Sequence, residues 1–240
     1  MTLSEQISGW IAERVREAKA EGIVLGLSGG VDSALTAVLA KKTLEDKVLG
    51  LLMPCHSDPA DLEHAKLVAD KFGIETEYVD LGPVFDSLMA SLPRGSELAV
   101  ANLKPRLRMA TLYYFANSRN YLVAGTGNKS ELTVGYFTKY GDGGVDLLPL
   151  GDLLKSQVRE LARELGVPEE IIAKPPSAGL WAGQTDEGEM GITYDELDRT
   201  ISAIERGDTR GCDEAILERV KAMRTASEHK RQPIPICKIG

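Results

Sequence analysis

The chain has 240 residues, 43% of them hydrophobic, with a formal net charge of −8. A chain of this size buries about 70–75% of its unfolded surface, enough for one α/β domain over 1–240, and its acidic balance argues against nucleic acid or an anionic membrane as a partner. No run reaches the about 18 apolar residues of a membrane span and no signal-peptide core opens the chain; with three scattered cysteines (Cys55, Cys212, Cys237) and no CxxC, it reads as cytoplasmic.

In chain order, Ile7, Trp10, Ile11, Val15 and Ala18 form one stripe of an amphipathic helix over 4–20. A strand over 23–28 follows, then a helix from Asp32. "KVLGLLM" (47–53) predicts a second strand, ended by Pro54, and 59–72 a helix stopped by Gly73. "IETEYVDL" (74–81) predicts the third strand. Helical patterns follow near 83–92 and, unbroken, over 97–119. "YLVAGT" (121–126) predicts the fourth strand, feeding a helix at 128–134. The polar loop "TKYGDGGVD" leads to "LLPL" and a helix over 152–165. Two prolines and four glycines in 174–191 predict a mobile loop, and helices near 193–205 and 212–228 precede a tail rich in Pro and Ile. Strands alternating with helices imply a doubly wound parallel sheet, Rossmann-like, with right-handed crossovers.

The first strand-to-helix turn carries the densest signal, "LGLSGGVDSA" (25–34). Backbone N–H groups at a helix N-terminus make such a turn an anion site, at the strand end where open α/β sheets bind ligands. GxxxxGK[ST] fails here because Val31 and Asp32 stand where the second glycine and the lysine would be, and GxGxxG fails on spacing. SGGVDS remains: amides and hydroxyls to wrap a pyrophosphate, plus one carboxylate, which beside bound phosphates calls for Mg²⁺. The competing reading makes Asp32 a helix N-cap in a plain turn.

This turn resembles that of the PP-loop ATP pyrophosphatases. "NLKPRLRM" (102–109), "GTGNKSELTVGYFTKYGDGGVDLLPL" (125–150), "KPPSAGLWAGQTDE" (174–187) and "EHKR" (228–231), in this order, narrow the resemblance to the NAD synthetases over essentially the whole chain. That resemblance implies amidation of deamido-NAD by ammonia: ATP adenylates the nicotinate carboxylate and ammonia then displaces AMP. It also implies a homodimer, with 97–119 as the candidate surface. Carried over by position, Gly26, Leu27, Ser28, Gly29, Gly30, Val31, Asp32, Ser33, Thr126, Lys155 and Ser177 would contact ATP, Lys155 as the phosphate clamp. Asp32 and Glu131 would hold Mg²⁺. Arg106, Lys139, Asp146, His229 and Lys230 would contact deamido-NAD.

Several positions keep two readings. Glu131 could lie on a solvated helix face. Asp142, between Gly141 and Gly143, would either hold ammonium or cap a turn, and Arg108 competes with Arg106 for the substrate. Cys55–His56, where the family usually has small polar residues, puts adenosine contacts there in doubt and reads as loop filler. Two other functions compete: another PP-loop ligase, GMP-synthetase-like or tRNA-modifying, and a nucleotide sensor without turnover. With no cysteine in a nucleophile-like setting and the matched segments filling the chain, free ammonia is the expected nitrogen source.

Overall fold

The short apolar runs pair into one parallel sheet in a computed structural model that describes residues 1–181 and 183–239. Ala182, inside the predicted 174–191 loop, and Gly240 lie outside the described residues. Strands β1 (Gly22–Gly26), β2 (Val48–Leu52), β3 (Glu75–Tyr78) and β4 (Tyr121–Val123) lie in the order β3-β2-β1-β4. Every pairing is parallel, and an isolated bridge from Ala124 to Leu147 continues the sheet beyond β4.

Side-chain alternation assigns the faces. Ile23, Leu25, Val48 and Leu52 pack with α1 (Leu3–Glu17), α2 (Val31–Leu44), α3 (Pro59–Phe72) and α8 (Lys155–Glu164). Val24, Leu49, Leu51 and Val123 pack on the opposite face with α4 (Gly82–Ser91) and α6 (Leu103–Arg119). A third apolar cluster lies off the sheet. It joins α7 (Lys129–Val134), α10 (Asp186–Met190), α11 (Tyr194–Arg206) and α12 (Glu214–Ala226) through Val134, Met190, Tyr194, Leu197, Ile201 and Val220.

Four features depart from the expected pattern. The helix predicted over 97–119 breaks at Asn102 into α5 (Glu97–Ala101) and α6. Pro105 explains the break: it has no N–H for the Ala101 carbonyl four residues back, and its ring crowds that carbonyl. Within 174–191, Thr185 caps and Gly191 ends α10, which buries Met190. Short α9 (Glu169–Ile172), begun at Pro168, and α13 (Glu228–Arg231) were not anticipated. Among the described residues no helix is long and apolar enough to cross a membrane.

Candidate active site

The strand order switches at β1: the chain builds outward through β2 and β3 and then returns across the sheet to set β4 on the other side of β1. The crevice at their carboxyl ends is where such sheets bind ligands. Gly26 ends β1, buried Leu27 donates to the Leu51 carbonyl at 3.0 Å, and the chain turns through Ser28 and Gly29. Gly29 has φ +79°, and a Cβ there would stand 2.2 Å from the Asp61 carbonyl oxygen of α3. Only glycine fits the turn. Ser33 Oγ closes the loop, accepting from Ser28 N at 3.1 Å and donating to the Gly30 carbonyl at 2.9 Å. Gly30 is the N-cap of α2 and no side chain caps it. The first N–H groups of α2 are therefore left for an anion, and buried Val31 anchors the turn to the core.

Asp32 is thus not the N-cap; its carboxylate points across the crevice. Asn128 Nδ2 donates to Asp32 Oδ1 at 2.8 Å, and Lys155 Nζ donates to Oδ2 at 2.5 Å. Glu131 Oε1 lies 3.5 Å from the same ammonium. Asn128 and Glu131 form a capping box that starts α7, so the geometry that begins the helix also fixes the carboxylate. Glu131 is largely buried, its side chain 16% exposed, rather than solvated. Lys155 is held from behind: its own N–H donates to Ser130 Oγ at 3.0 Å, and Ser130 donates to Asp198. The Tyr194 ring lies beneath Lys155, 4.9 Å from Nζ to the ring centre. The Tyr194 hydroxyl reaches Asp186 Oδ2 at 2.9 Å and Glu131 Oε1 at 3.2 Å.

Charge is crowded here. Burial, then the neighbouring Asp32 carboxylate, pushes the Glu131 pKa up to about 7, against the pull of Lys155. Burial works against the Lys155 charge, yet Asp32 and Glu131 outweigh it and the ammonium pKa is raised. Burial also raises Asp186, partly offset by Lys155. Three carboxylates face one ammonium, and all the donors are hard oxygens, the ligand set of Mg²⁺. Among the described residues no three His, Cys, Asp or Glu side chains converge into a metal cage. Asp32 and Glu131, which share the Lys155 ammonium, are the pair that could hold Mg²⁺, an ion that takes one or two carboxylates and fills its shell with phosphate oxygens and water.

The other predicted residues fall into separate places. Thr126 lies half-buried in the loop from β4 to α7. Ser177 is exposed and accepts from Gly179 N at 3.1 Å. Arg106, Lys139, His229 and Lys230 gather around the 135–143 segment. Lys139 Nζ donates to the His229 carbonyl and Arg106 to the Lys139 carbonyl, while Lys230 Nζ donates to the Gly135 and Phe137 carbonyls at 2.7 Å. Asp142 Oδ1 accepts from Thr138 N at 2.9 Å, so the turn-capping contact is present. Asp146 stands apart, accepting from Tyr113 Oη and Val123 N. Arg108 separates from Arg106: it braces the exit of β2 through the Met53 carbonyl and Ser57 Oγ, whereas Arg106 is exposed. Cys55 is fully buried, and burial pushes its thiol pKa up; His56 pairs with Asp86 at 2.8 Å.

Asn128, Ser130, Asp186 and Tyr194 belong to the site but were missed. Asn128 could have been found, since N-x-x-E at 128–131 is a capping-box signature. Asp186 and Tyr194 carry no such signal, because only the fold brings α10 and α11 over the crevice.

A β3-β2-β1-β4 sheet with an uncapped glycine turn at its switch point, faced by paired carboxylates and a lysine, defines a nucleotide-binding α/β protein of the PP-loop kind. The chain belongs to the NAD synthase family, whose match runs over residues 3–234. It is 51% identical to the NH(3)-dependent NAD(+) synthetase of Carboxydothermus hydrogenoformans, covering 95% of this chain and 94% of that one. The Archaeoglobus fulgidus protein of the same name is 50% identical, covering 98% and 96%. Among solved structures, NMN synthetase from Francisella tularensis superimposes with a TM-score of 0.92 at 38% identity, covering 99% of this chain and 98% of that one. NH3-dependent NAD synthetase from Campylobacter jejuni gives 0.86 at 31% identity, covering 98% of both chains.

Proposed function

We propose that this chain makes NAD from deamido-NAD, ATP and ammonia, releasing AMP and pyrophosphate. The observation that carries this reading is the Asp32–Asn128–Glu131–Lys155 constellation facing the uncapped α2 N-terminus, in a chain half identical to synthetases of that name. A carboxylate is a poor electrophile, so its oxygen first attacks the α-phosphorus. The bond to the β-phosphate breaks and its electrons leave with pyrophosphate. The N–H groups of α2 and the Lys155 ammonium are the groups that take up that charge. Mg²⁺ held by Asp32 and Glu131 would neutralise the leaving pyrophosphate. Ammonia then attacks the acyl carbon through its lone pair, loses a proton, and AMP departs.

In this reading Thr126 and Ser177 contact ATP, and Arg106, Lys139, His229 and Lys230 supply cations for the dinucleotide phosphates and carboxylate. Asp146 accepts from hydroxyls, and Asp142 holds ammonium. The 174–191 segment closes as a lid, keeping water from the acyl-adenylate. Exposed Leu98 and Tyr114, 64% and 68% accessible, fit a homodimer surface on α5 and α6. A cytoplasmic place of action agrees with the free thiols.

A second reading has a specific observation behind it: the match to a structure of NMN synthetase at TM-score 0.92. There the accepted carboxylate would be on the mononucleotide. One assay tests both. The purified chain is incubated with ATP, Mg²⁺ and ammonium plus either deamido-NAD or nicotinate mononucleotide, and AMP and the amide are quantified. Higher kcat/KM for deamido-NAD is the expected result; preference for the mononucleotide selects the second reading, and AMP formation with neither rejects both.

A further inference from the structure

Asp186 sits on α10 within the 174–191 segment, yet it is 5% exposed and turned toward the carboxylate cluster. Its two oxygens differ. Oδ2 accepts from the Tyr194 hydroxyl at 2.9 Å, and the same hydroxyl stands 3.2 Å from Glu131 Oε1. Oδ1 is buried and has no hydrogen-bond partner among the described residues. The Tyr136 hydroxyl also stands beside Asp186; it has a single proton, which goes to Glu189. A buried carboxylate oxygen without a donor costs free energy, so the position implies a donor that arrives with a ligand. A carboxylate so placed repels phosphate, whereas water held by a divalent cation is a strong donor. Among the described residues Asp186, Asp32 and Glu131 do not form a three-carboxylate metal cage, so a water is the donor through which Asp186 would meet a cation held by the other two. Mg²⁺ keeps several waters when bound.

We propose that Asp186 is an outer-shell carboxylate of the cation site, its Oδ1 accepting from a water on the cation held by Asp32 and Glu131, with Tyr194 fixing its other oxygen. The inference rests on the cation site proposed above. It makes Asp186 a positioning residue with a second effect. Because Asp186 belongs to the 174–191 segment, loading the cation adds a contact that holds that segment more firmly on the crevice. Lys104 Nζ, which donates to the Leu180 carbonyl at 2.7 Å, and the Lys174–Asp61 pair anchor the same segment elsewhere. Those contacts do not depend on a cation, so Asp186 is the point at which the segment senses one.

The test uses Mn²⁺ as the probe, with α,β-methylene ATP, which lacks the scissile oxygen. Free Mn²⁺ is read by electron paramagnetic resonance, and chymotryptic cutting at exposed Trp181 is followed by mass spectrometry. Asp186→Asn is expected to weaken Mn²⁺ binding about tenfold, in the range for outer-shell partners, and to abolish the Mn²⁺-dependent protection of Trp181. Asp186→Glu, which keeps the charge, should recover most of the affinity. In the wild type, Mn²⁺ plus the analogue should protect Trp181 more than the analogue with EDTA, a comparison that needs no variant. Wild-type affinity in a folded Asp186→Asn, or protection equal with and without Mn²⁺, overturns the inference. Wild-type Mn²⁺ affinity in Asp32→Asn overturns the underlying cation site instead.

Discussion

Lys155 Nζ lies 2.5 Å from Asp32 Oδ2, while Asn128 fills the other oxygen of the same carboxylate at 2.8 Å. Both faces of Asp32 are therefore occupied by the protein's own donors. The pair holds the crevice together in the ligand-free protein. On the proposed reading Asp32 and Glu131 would hold a cation in place of the ammonium, and Lys155 would then turn its charge toward phosphate.

Lys155→Met is expected to be costly twice over. Breaking a buried ion pair by removing one partner costs about 3–5 kcal/mol, and here it strands Asp32, Glu131 and Asp186 together. Protonation relieves carboxylate repulsion, so the variant should be most destabilised at high pH and recover as pH falls. Thermal melts at pH 5 and pH 8 check this. The loss of turnover should be about 10²-fold or more, the scale for deleting one preorganised charge donor.

Glu131 gives a pH signature in metal-free protein. Its folded pKa, about 7, stands above the ordinary 4.5. Between those values the folded state binds more protons than the unfolded one, so stability falls as pH rises through that window. Glu131→Gln should flatten this part of the profile in EDTA, measured by denaturant titration at each pH. Mg²⁺ favours the ionised carboxylate, so its affinity should climb over the same window in the wild type. A wild-type profile that matches Glu131→Gln rejects the assignment.

The sheet was legible because strands and helices alternate with different periods, and the glycine turn because SGGVDS breaks every simpler motif. The split at Asn102 follows from Pro105, a signal present in "NLKPR" but overridden by the strong apolar pattern on both sides. The site was legible where local and catalytic demands coincide: Glu131 is both the third residue of a capping box and a cluster carboxylate. It was illegible where geometry is long-range. Tyr194 and Asp186 reach the crevice from α11 and α10, more than sixty and fifty residues beyond Glu131, and no spacing rule connects them. α10 itself was hidden because its five residues are too short to display a period.

Gly29→Ala should disable the anion turn. At φ +79° the methyl group would sit 2.2 Å from the Asp61 carbonyl, so the turn or the start of α3 must shift. Left-handed strain alone costs about 1–3 kcal/mol, and the clash adds to it. The melting temperature should drop and ATP affinity with it. Gly73→Ala is the control: it shares a positive φ (+62°) but has no atom within 4 Å of the added Cβ, so it should lose stability without losing ATP affinity.

Asp142 is the residue on which the two readings of the 138–144 turn can be separated. Its Oδ1 accepts from Thr138 N at 2.9 Å, a contact an asparagine carbonyl oxygen also makes. Asp142→Asn therefore preserves the turn while removing the negative charge that would attract ammonium. If Asp142 holds ammonium, KM for ammonia should rise about tenfold or more, because a hydrogen bond between charged groups is worth about 1.5–3 kcal/mol. KM for ATP and the melting temperature should stay near wild-type values. The pH profile supplies a second readout. Only neutral ammonia carries the lone pair, so at fixed total ammonium the rate should rise with pH below the ammonium pKa. On the ammonium-holding reading, the wild-type Asp142 would both concentrate the cation and accept its proton, softening that rise, and in Asp142→Asn the dependence on pH should steepen. Unchanged KM and an unchanged profile in a folded variant would leave Asp142 as a turn cap alone.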